Sequence, residues 1–158
     1  MSYMTVMFKE MNTEEVQHYI EFEILNYAEN VSANLGIPKA AALKDAEIQL
    51  NNSLSEENRK KDQFIGHIFC EDKKENVGII WYNIQAERDR AFIYHIYIHE
   101  AFRKMGYASA ALTHLEKVAK RKGIGNLALN VFVANTAAQH LYKRLGYETA
   151  SMVKTKKL

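Results

Sequence analysis

The stretch Ile96-Tyr97-Ile98-His99-Glu100-Ala101-Phe102-Arg103-Lys104-Met105-Gly106-Tyr107-Ala108-Ser109-Ala110-Ala111-Leu112 changes its period midway. Its first residues alternate as a strand does, and its last repeat at helical spacing. Between them lies Arg-Lys-Met-Gly-Tyr-Ala, a turn with one glycine and two cations. A helix start presents backbone N–H groups that lack an intrahelical acceptor, together with a partial positive charge. A helix beginning near Lys104 would turn the amides through Ser109 toward one point. Gly106 lets an anion approach the backbone with no Cβ in the way, and Ala108 keeps the next turn small. Arg103 and Lys104 add full charges. A pyrophosphate suits such a turn. A purely structural turn with solvated cations would use the same residues.

Working outward, residues 4–8 alternate as a first strand, and Asn12-Thr13-Glu14-Glu15 offers a helix cap with acids in the first turn. Val16, Tyr19, Ile20, Ile24 and Tyr27 then recur at helical spacing, predicting a helix to about Asn30. Gly36-Ile37-Pro38 interrupts it, Ala40 to Leu54 resumes as a second helix, and Ser53 to Asp62 is a charged loop. Apolar runs near 64–70, 77–84 and 91–98, joined by short charged linkers, have the pattern of an antiparallel meander. Ala108, Ala111, Leu112, Leu115 and Ala119 form one helical stripe that Gly123 and Gly125 end. Leu127 to Val133 reads as a strand, Thr136 to Leu145 as a helix and Glu148 to Lys156 as a last strand. The strand–helix–strand unit over 92–133 should pair its strands in parallel. The fold class is α/β: a mixed, mostly antiparallel sheet flanked by helices, in the order β-α-α-β-β-β-α-β-α-β. Nothing divides the 158 residues into separate domains, and a chain of this size buries roughly 68–70% of its unfolded surface.

Composition removes several classes of function. A net charge of +2 is too mild for an electrostatic nucleic-acid or membrane binder. The cations Lys117, Lys120, Arg121 and Lys122 sit at a helix C-terminus, where the helix dipole accounts for them. No apolar run nears the ~20 residues of a membrane helix, and the N-terminal Met1 to Lys9 does not have the form of a secretion signal. Cys70 is the sole cysteine, so the chain forms no internal disulfide and fits a reducing cytoplasm; it reads as a buried structural thiol. The histidines and Cys70 have no metal-ligand spacing, so no metal is expected.

A second constellation lies in Asn130-Val131-Phe132-Val133-Ala134-Asn135-Thr136-Ala137-Ala138-Gln139-His140-Leu141-Tyr142-Lys143-Arg144-Leu145-Gly146-Tyr147. Asn135 can cap the helix that follows, and Tyr142 comes seven residues later, nearly two turns on and so on the same face. Gly146 ends the helix.

Together the two stretches resemble the GNAT superfamily of acetyl-CoA-dependent N-acetyltransferases. Arg103-Lys104-Met105-Gly106-Tyr107-Ala108 is similar to that family's Arg/Gln-x-x-Gly-x-Gly/Ala motif. Asn135, Ala138, Tyr142, Gly146 and Tyr147 are similar to its Asn-x-x-Ala-x-x-x-Tyr-x-x-x-Gly-Phe/Tyr segment. The resemblance covers nearly the whole chain and implies a single N-acetyltransferase domain over residues 1–158, with acetyl-CoA as co-substrate. It implies that backbone groups of Ile96, Tyr97 and Ile98 bind pantetheine on a fourth strand splayed from the fifth. The amides of Lys104, Met105, Gly106, Tyr107, Ala108 and Ser109, beside Arg103, would hold the pyrophosphate. Asn135 would hydrogen-bond the co-substrate near its thioester, and Tyr142 would lie beside the sulfur.

Acyl transfer also requires a neutral amine, and an alkyl ammonium has a reference pKa of ~10.4, so a base or a water relay must take its proton. Many relatives place a carboxylate on the fourth strand for this. Here the segment reads Tyr94-His95-Ile96-Tyr97-Ile98-His99, and strict alternation sets His95 and Tyr97 on one face and Tyr94 and Ile96 on the other. His95 could be the base or a packed histidine; Glu21 and Glu23 could meet a cationic substrate or simply be solvated. Trp81 and Tyr82 could wall an acceptor pocket or pack a core. The acceptor expected is a primary amine, either a small molecule such as a polyamine or a peptide amine, attacking directly in a ternary complex. A homodimer is left open. The alternative on the same fold is a non-catalytic acyl-CoA sensor or structural subunit.

Overall fold

The computed structural model describes residues 4–158; Met1 to Tyr3 of the N-terminal stretch lie outside the described residues. In chain order the elements are β1 (Val6–Glu10), α1 (Thr13–Leu35), α2 (Lys39–Ser53), α3 (Glu56–Arg59), β2 (Gln63–Cys70), β3 (Glu75–Gln85), β4 (Arg90–Ile98), α4 (Tyr107–Arg121), β5 (Asn126–Leu129) and α5 (Thr136–Arg144). They fall into two compact units, each built from two stretches of chain: residues up to Asn12 with Arg59–Asn130, and Thr13–Asn58 with Val131–Leu158.

The first unit is a five-stranded sheet in the order β1-β2-β3-β4-β5, with α4 packed on it. Every pairing is antiparallel except β4 with β5, which is parallel across the α4 crossover, as the sequence predicts. Of the stripe read from the sequence, Ala111, Leu112, Leu115 and Ala119 on α4 are buried and Ala108 is half-buried. Phe8, Phe64 and Tyr82 gather on this side of the sheet, with Phe8 set edge-on to His114 of α4 at 4.7 Å between ring centres. Ala91, Ala119 and Ile124 form a separate buried cluster, with Ile84 and Leu127 packed against it. Cys70 is 1% exposed and accepts a contact from the Tyr107 hydroxyl at 3.6 Å, consistent with a structural thiol.

In the second unit α1 and α2 pack through Ala28, Val31, Ala42 and Ala46, whose small side chains let the two helices approach closely. Helix α1 runs past the predicted Asn30 because Val31 and Leu35 continue its apolar row. It ends at Gly36, which adopts φ +69° and donates its N–H to the Ser32 carbonyl at 3.1 Å.

Three other expectations are corrected. The loop over 53–62 contains the one-turn helix α3. Strand β5 stops at Leu129 instead of Val133; Phe132, already part of the second unit, packs within the α1–α2 core of that unit. Residues 148–156 form no strand, so the element order ends on α5. The only large apolar residues there, Met152 and Val153, are adjacent; in a strand they would point to opposite faces and give neither an apolar row, and both are exposed. The fold class itself stands: mixed α/β with a mostly antiparallel sheet.

Candidate active site

Strand β4 has two halves that behave differently. Over Arg90 to Ile93 it lies between β3 and β5. The ladder to β5 ends at Ile93↔Leu129, while pairing to β3 continues to Ile98. At this point β4 also carries a bulge: Tyr82 faces Ile93 and Trp81 faces His95, leaving Tyr94 as the extra residue. The bulge overturns the strict alternation expected for this segment. Tyr94 lies on the same side as His95, stacked on Trp81 at 4.6 Å with Phe92 5.0 Å beyond, while Ile96 returns to the α4 side opposite Ile80. Sequence alone carries no signal of the extra residue, so Tyr94 was missed as a surface-forming residue beside His95.

The ring of His95 lies 6.0 Å from Tyr97, and the Tyr97 ring 5.6 Å from His99. Burial holds the His95 imidazole down to about 4, so it is neutral at physiological pH. Its capacity to accept a proton is therefore present, with a weaker basicity than a free imidazole. Arg103 folds back on the strand end: its Nε donates to the Ile98 carbonyl at 2.9 Å, and its guanidinium lies 5.2 Å from the Tyr97 ring centre.

Lys104 (φ +63°) and Gly106 (φ +88°) are both left-handed, a conformation that cannot enter a right-handed helix. Helix α4 accordingly begins at Tyr107 rather than near Lys104. Gly106 is its N-cap, with no side chain closing the first turn; the first intrahelical bond given to the cap is Ala110 N–H to the Gly106 carbonyl at 3.0 Å. Helix geometry thus leaves the N–H groups of Tyr107, Ala108 and Ser109 without an intrahelical acceptor. Among the described residues, a Cβ on Gly106 would find only the Met4 methyl, at 4.0 Å. Lys104, Met105 and Gly106 are exposed; the Tyr107 side chain is buried, so only its backbone faces this space.

Asn135 and Tyr142 lie in the other unit, on α5. Asn135 Oδ1 accepts the Ala138 N–H at 3.2 Å, the cap that the sequence predicts, which leaves its Nδ2 to donate elsewhere. At the other end, Tyr147 N–H donates to the Tyr142 carbonyl at 2.9 Å and Gly146 N–H to that of Lys143 at 3.1 Å. With Gly146 at φ +93°, this is a Schellman ending, and its customary apolar contact is the Tyr142–Tyr147 ring pair at 5.4 Å. The Tyr-x-x-x-Gly-Tyr spacing therefore fixes the Tyr142 ring. Burial raises the pKa of its phenol, keeping the proton on oxygen.

The two acids of α1 separate sharply. Glu21 is exposed, whereas Glu23 is 5% exposed, raised by burial to about 7, with Asn26 Nδ2 donating to it at 3.3 Å. Among the described residues no group of three His, Cys, Asp or Glu side chains gathers as for a metal, and no helix is long and apolar enough to cross a membrane.

Residues 23–147 match the Acetyltransferase (GNAT) family. The chain is 32% identical over 158 residues to the uncharacterized N-acetyltransferase YycN of Bacillus subtilis, covering 98% of this chain and all of that one. It is 29% identical to the uncharacterized N-acetyltransferase YdgE of the same organism, covering 95% and 96%. The crystal structure of YycN superposes with a TM-score of 0.89 at 29% identity, over 98% of this chain and 99% of that one. The fold alone is shared with an N-acetyltransferase from Thermoplasma acidophilum in complex with coenzyme A, at TM-score 0.63 and 19% identity over 95% and 94% of the chains. By the family match over residues 23–147 and the full-length relative, the chain belongs to the GNAT family of N-acetyltransferases.

Proposed function

We propose that the protein transfers the acetyl group of acetyl-CoA to a primary amine by direct attack in a ternary complex. The observation that carries this reading is the run of β4 beyond the end of β5 into the Gly106 turn, where Tyr107, Ala108 and Ser109 begin α4 with no side-chain cap. A strand without its β5 neighbour suits pantetheine, which hydrogen-bonds like an added strand, and a helix start suits pyrophosphate. Bound acetyl-CoA supplies an activated acyl group on a thiol leaving group.

The residues divide the remaining work. Arg103 and Lys104 add positive charge beside the amides of Met105 to Ser109. Backbone groups of Ile96, Tyr97 and Ile98 hold the pantetheine and offer an N–H to the developing oxyanion. Asn135 Nδ2 donates near the thioester. Tyr142, whose phenol stays protonated, gives its proton to the departing sulfur, and His95, neutral near pH 7, takes a proton from the amine directly or through water.

The experiment is an assay of free CoA release from acetyl-CoA across a panel of primary amines. Release that rises with amine concentration and yields acetylated amine is the expected result. Tight acetyl-CoA binding with no amine-dependent release would make the chain a non-catalytic binder.

A further inference from the structure

On the sheet face opposite α4, Phe92, Tyr94 and Trp81 form a continuous aromatic strip. Trp81 is 6% exposed and is fixed by its Nε1 donating to Gln63 Oε1 at 2.7 Å. Tyr94 stacks on it at 4.6 Å with 27° between planes, yet stays 46% exposed, so one ring face is covered and the other meets solvent. A rigid backing and an open face are what a stacking platform needs. The bulge sets this platform directly beside His95, at the point where β5 leaves β4.

Charge on this face selects among amines. The register places Gln63, Asn83 and Phe92 in one row, Ile65, Trp81 and His95 in the next, and Lys9, His67, Ile79 and Tyr97 in the third. None of these described strand residues is a carboxylate, and Lys9 is a cation. At the strip's end the Arg90 guanidinium lies 5.1 Å from the Phe92 ring centre, held by Nε donating to Gln85 Oε1 at 2.7 Å. Among these strand residues a second ammonium would meet positive charge and no carboxylate, whereas a flat neutral ring would meet Tyr94.

We propose that Tyr94, backed by Trp81, binds the acceptor, and that the acceptor is an arylalkylamine: a primary amine whose carbon chain ends in an aromatic ring. This rests on the amine acetylation proposed above and narrows its substrate class.

Trp81 is the only tryptophan of the chain, so its fluorescence reports on the strip without requiring turnover. Titrating 2-phenylethylamine into the full chain saturated with CoA should give a saturable change in Trp81 emission. Tyr94→Ala should abolish it and Tyr94→Phe should keep it, and n-butylamine and spermidine should give none. In kinetics, the kcat/KM ratio of 2-phenylethylamine to n-butylamine should fall roughly two- to twelve-fold in Tyr94→Ala, the worth of one aromatic pair. A tighter fluorescence response to spermidine than to 2-phenylethylamine, or an unchanged ratio in Tyr94→Ala, overturns the proposal. If no amine accelerates CoA release, the transferase reading fails, while the fluorescence titration still decides the subsite: a ring-dependent response lost in Tyr94→Ala supports it, and none refutes it.

Discussion

Helices α4 and α5 begin in opposite ways. Helix α5 closes its own N-terminus, with Asn135 Oδ1 on the Ala138 N–H. Helix α4 starts from a left-handed glycine that has no side chain to offer, and among the described residues only the Met4 methyl lies within 4.0 Å of where its Cβ would be. Stability does not force this difference, since glycine at an N-cap costs only about a few tenths of a kcal/mol against Ser, Asp or Asn. One helix start is capped by a side chain; the other is not, and on the proposed function it receives the pyrophosphate. On the proposed function, α5 holds a side chain, Tyr142, and α4 holds a ligand through its backbone.

The largest effect should come from the side chain that α5 holds. Tyr142→Phe keeps the ring and its contact with Tyr147 but removes the phenolic proton. Turnover should fall about 10²–10⁴-fold, the usual contribution of general acid catalysis, with a much smaller change in acetyl-CoA affinity. An acyl donor with a more acidic thiol should lose less. Full activity in the variant would reduce α5 to scaffold.

The cap comes next. Asn135→Ala should cost about 0.5–2 kcal/mol of stability, measured by urea unfolding. Asn135→Ser keeps a capping oxygen and removes Nδ2, so it should retain stability and raise the KM for acetyl-CoA. If Ser restores both stability and KM, Asn135 is a cap alone.

Stability should also depend on pH, with opposite signs in the two units. His95 takes a proton near 6.5 when unfolded but near 4 when folded, so its environment destabilises the native state as pH falls from 6.5 toward 4. Glu23 moves from 4.5 to about 7, so its contribution is complete below pH 4.5 and is lost as pH rises through 7. The fall of Tm on acidifying between about pH 6.5 and 4 should flatten in His95→Gln, and the fall of Tm on raising pH between about 4.5 and 7 should flatten in Glu23→Gln. Parallel curves for wild type and variant would show that the site in question is solvated.

Much of this was legible because period and punctuation agree: the alanine–leucine stripe of α4 and the alternating runs of β2 to β4 each admit one reading. The same holds for Asn135 as a cap and Gly146 as a stop, where a single residue type satisfies a single backbone need. What escaped had no local signature. The bulge at Tyr94 comes from how β4 meets β3 and leaves strict alternation intact in the sequence. The early end of β5 precedes Phe132, which packs within the α1–α2 core. The start of α4 at Tyr107 depends on Lys104 adopting a left-handed conformation that its residue type does not announce. The burial of Glu23 and the exposure of Glu21 are likewise set by tertiary packing.

The contrast between the two helix starts can be tested by giving α4 a side chain at its cap. Asn tolerates the left-handed conformation of Gly106, and the open space before it accommodates the side chain, so Gly106→Asn should fold. Acetyl-CoA at about 100 times its Kd should stabilise the wild type by about 2.7 kcal/mol, read as a rise in Tm. This rise should be lost in Gly106→Asn, and also in Ala108→Glu, while the unliganded Tm of each stays near that of the wild type. An acetyl-CoA-induced rise of the same size in both variants would contradict this, and the Gly106 turn would be structural only.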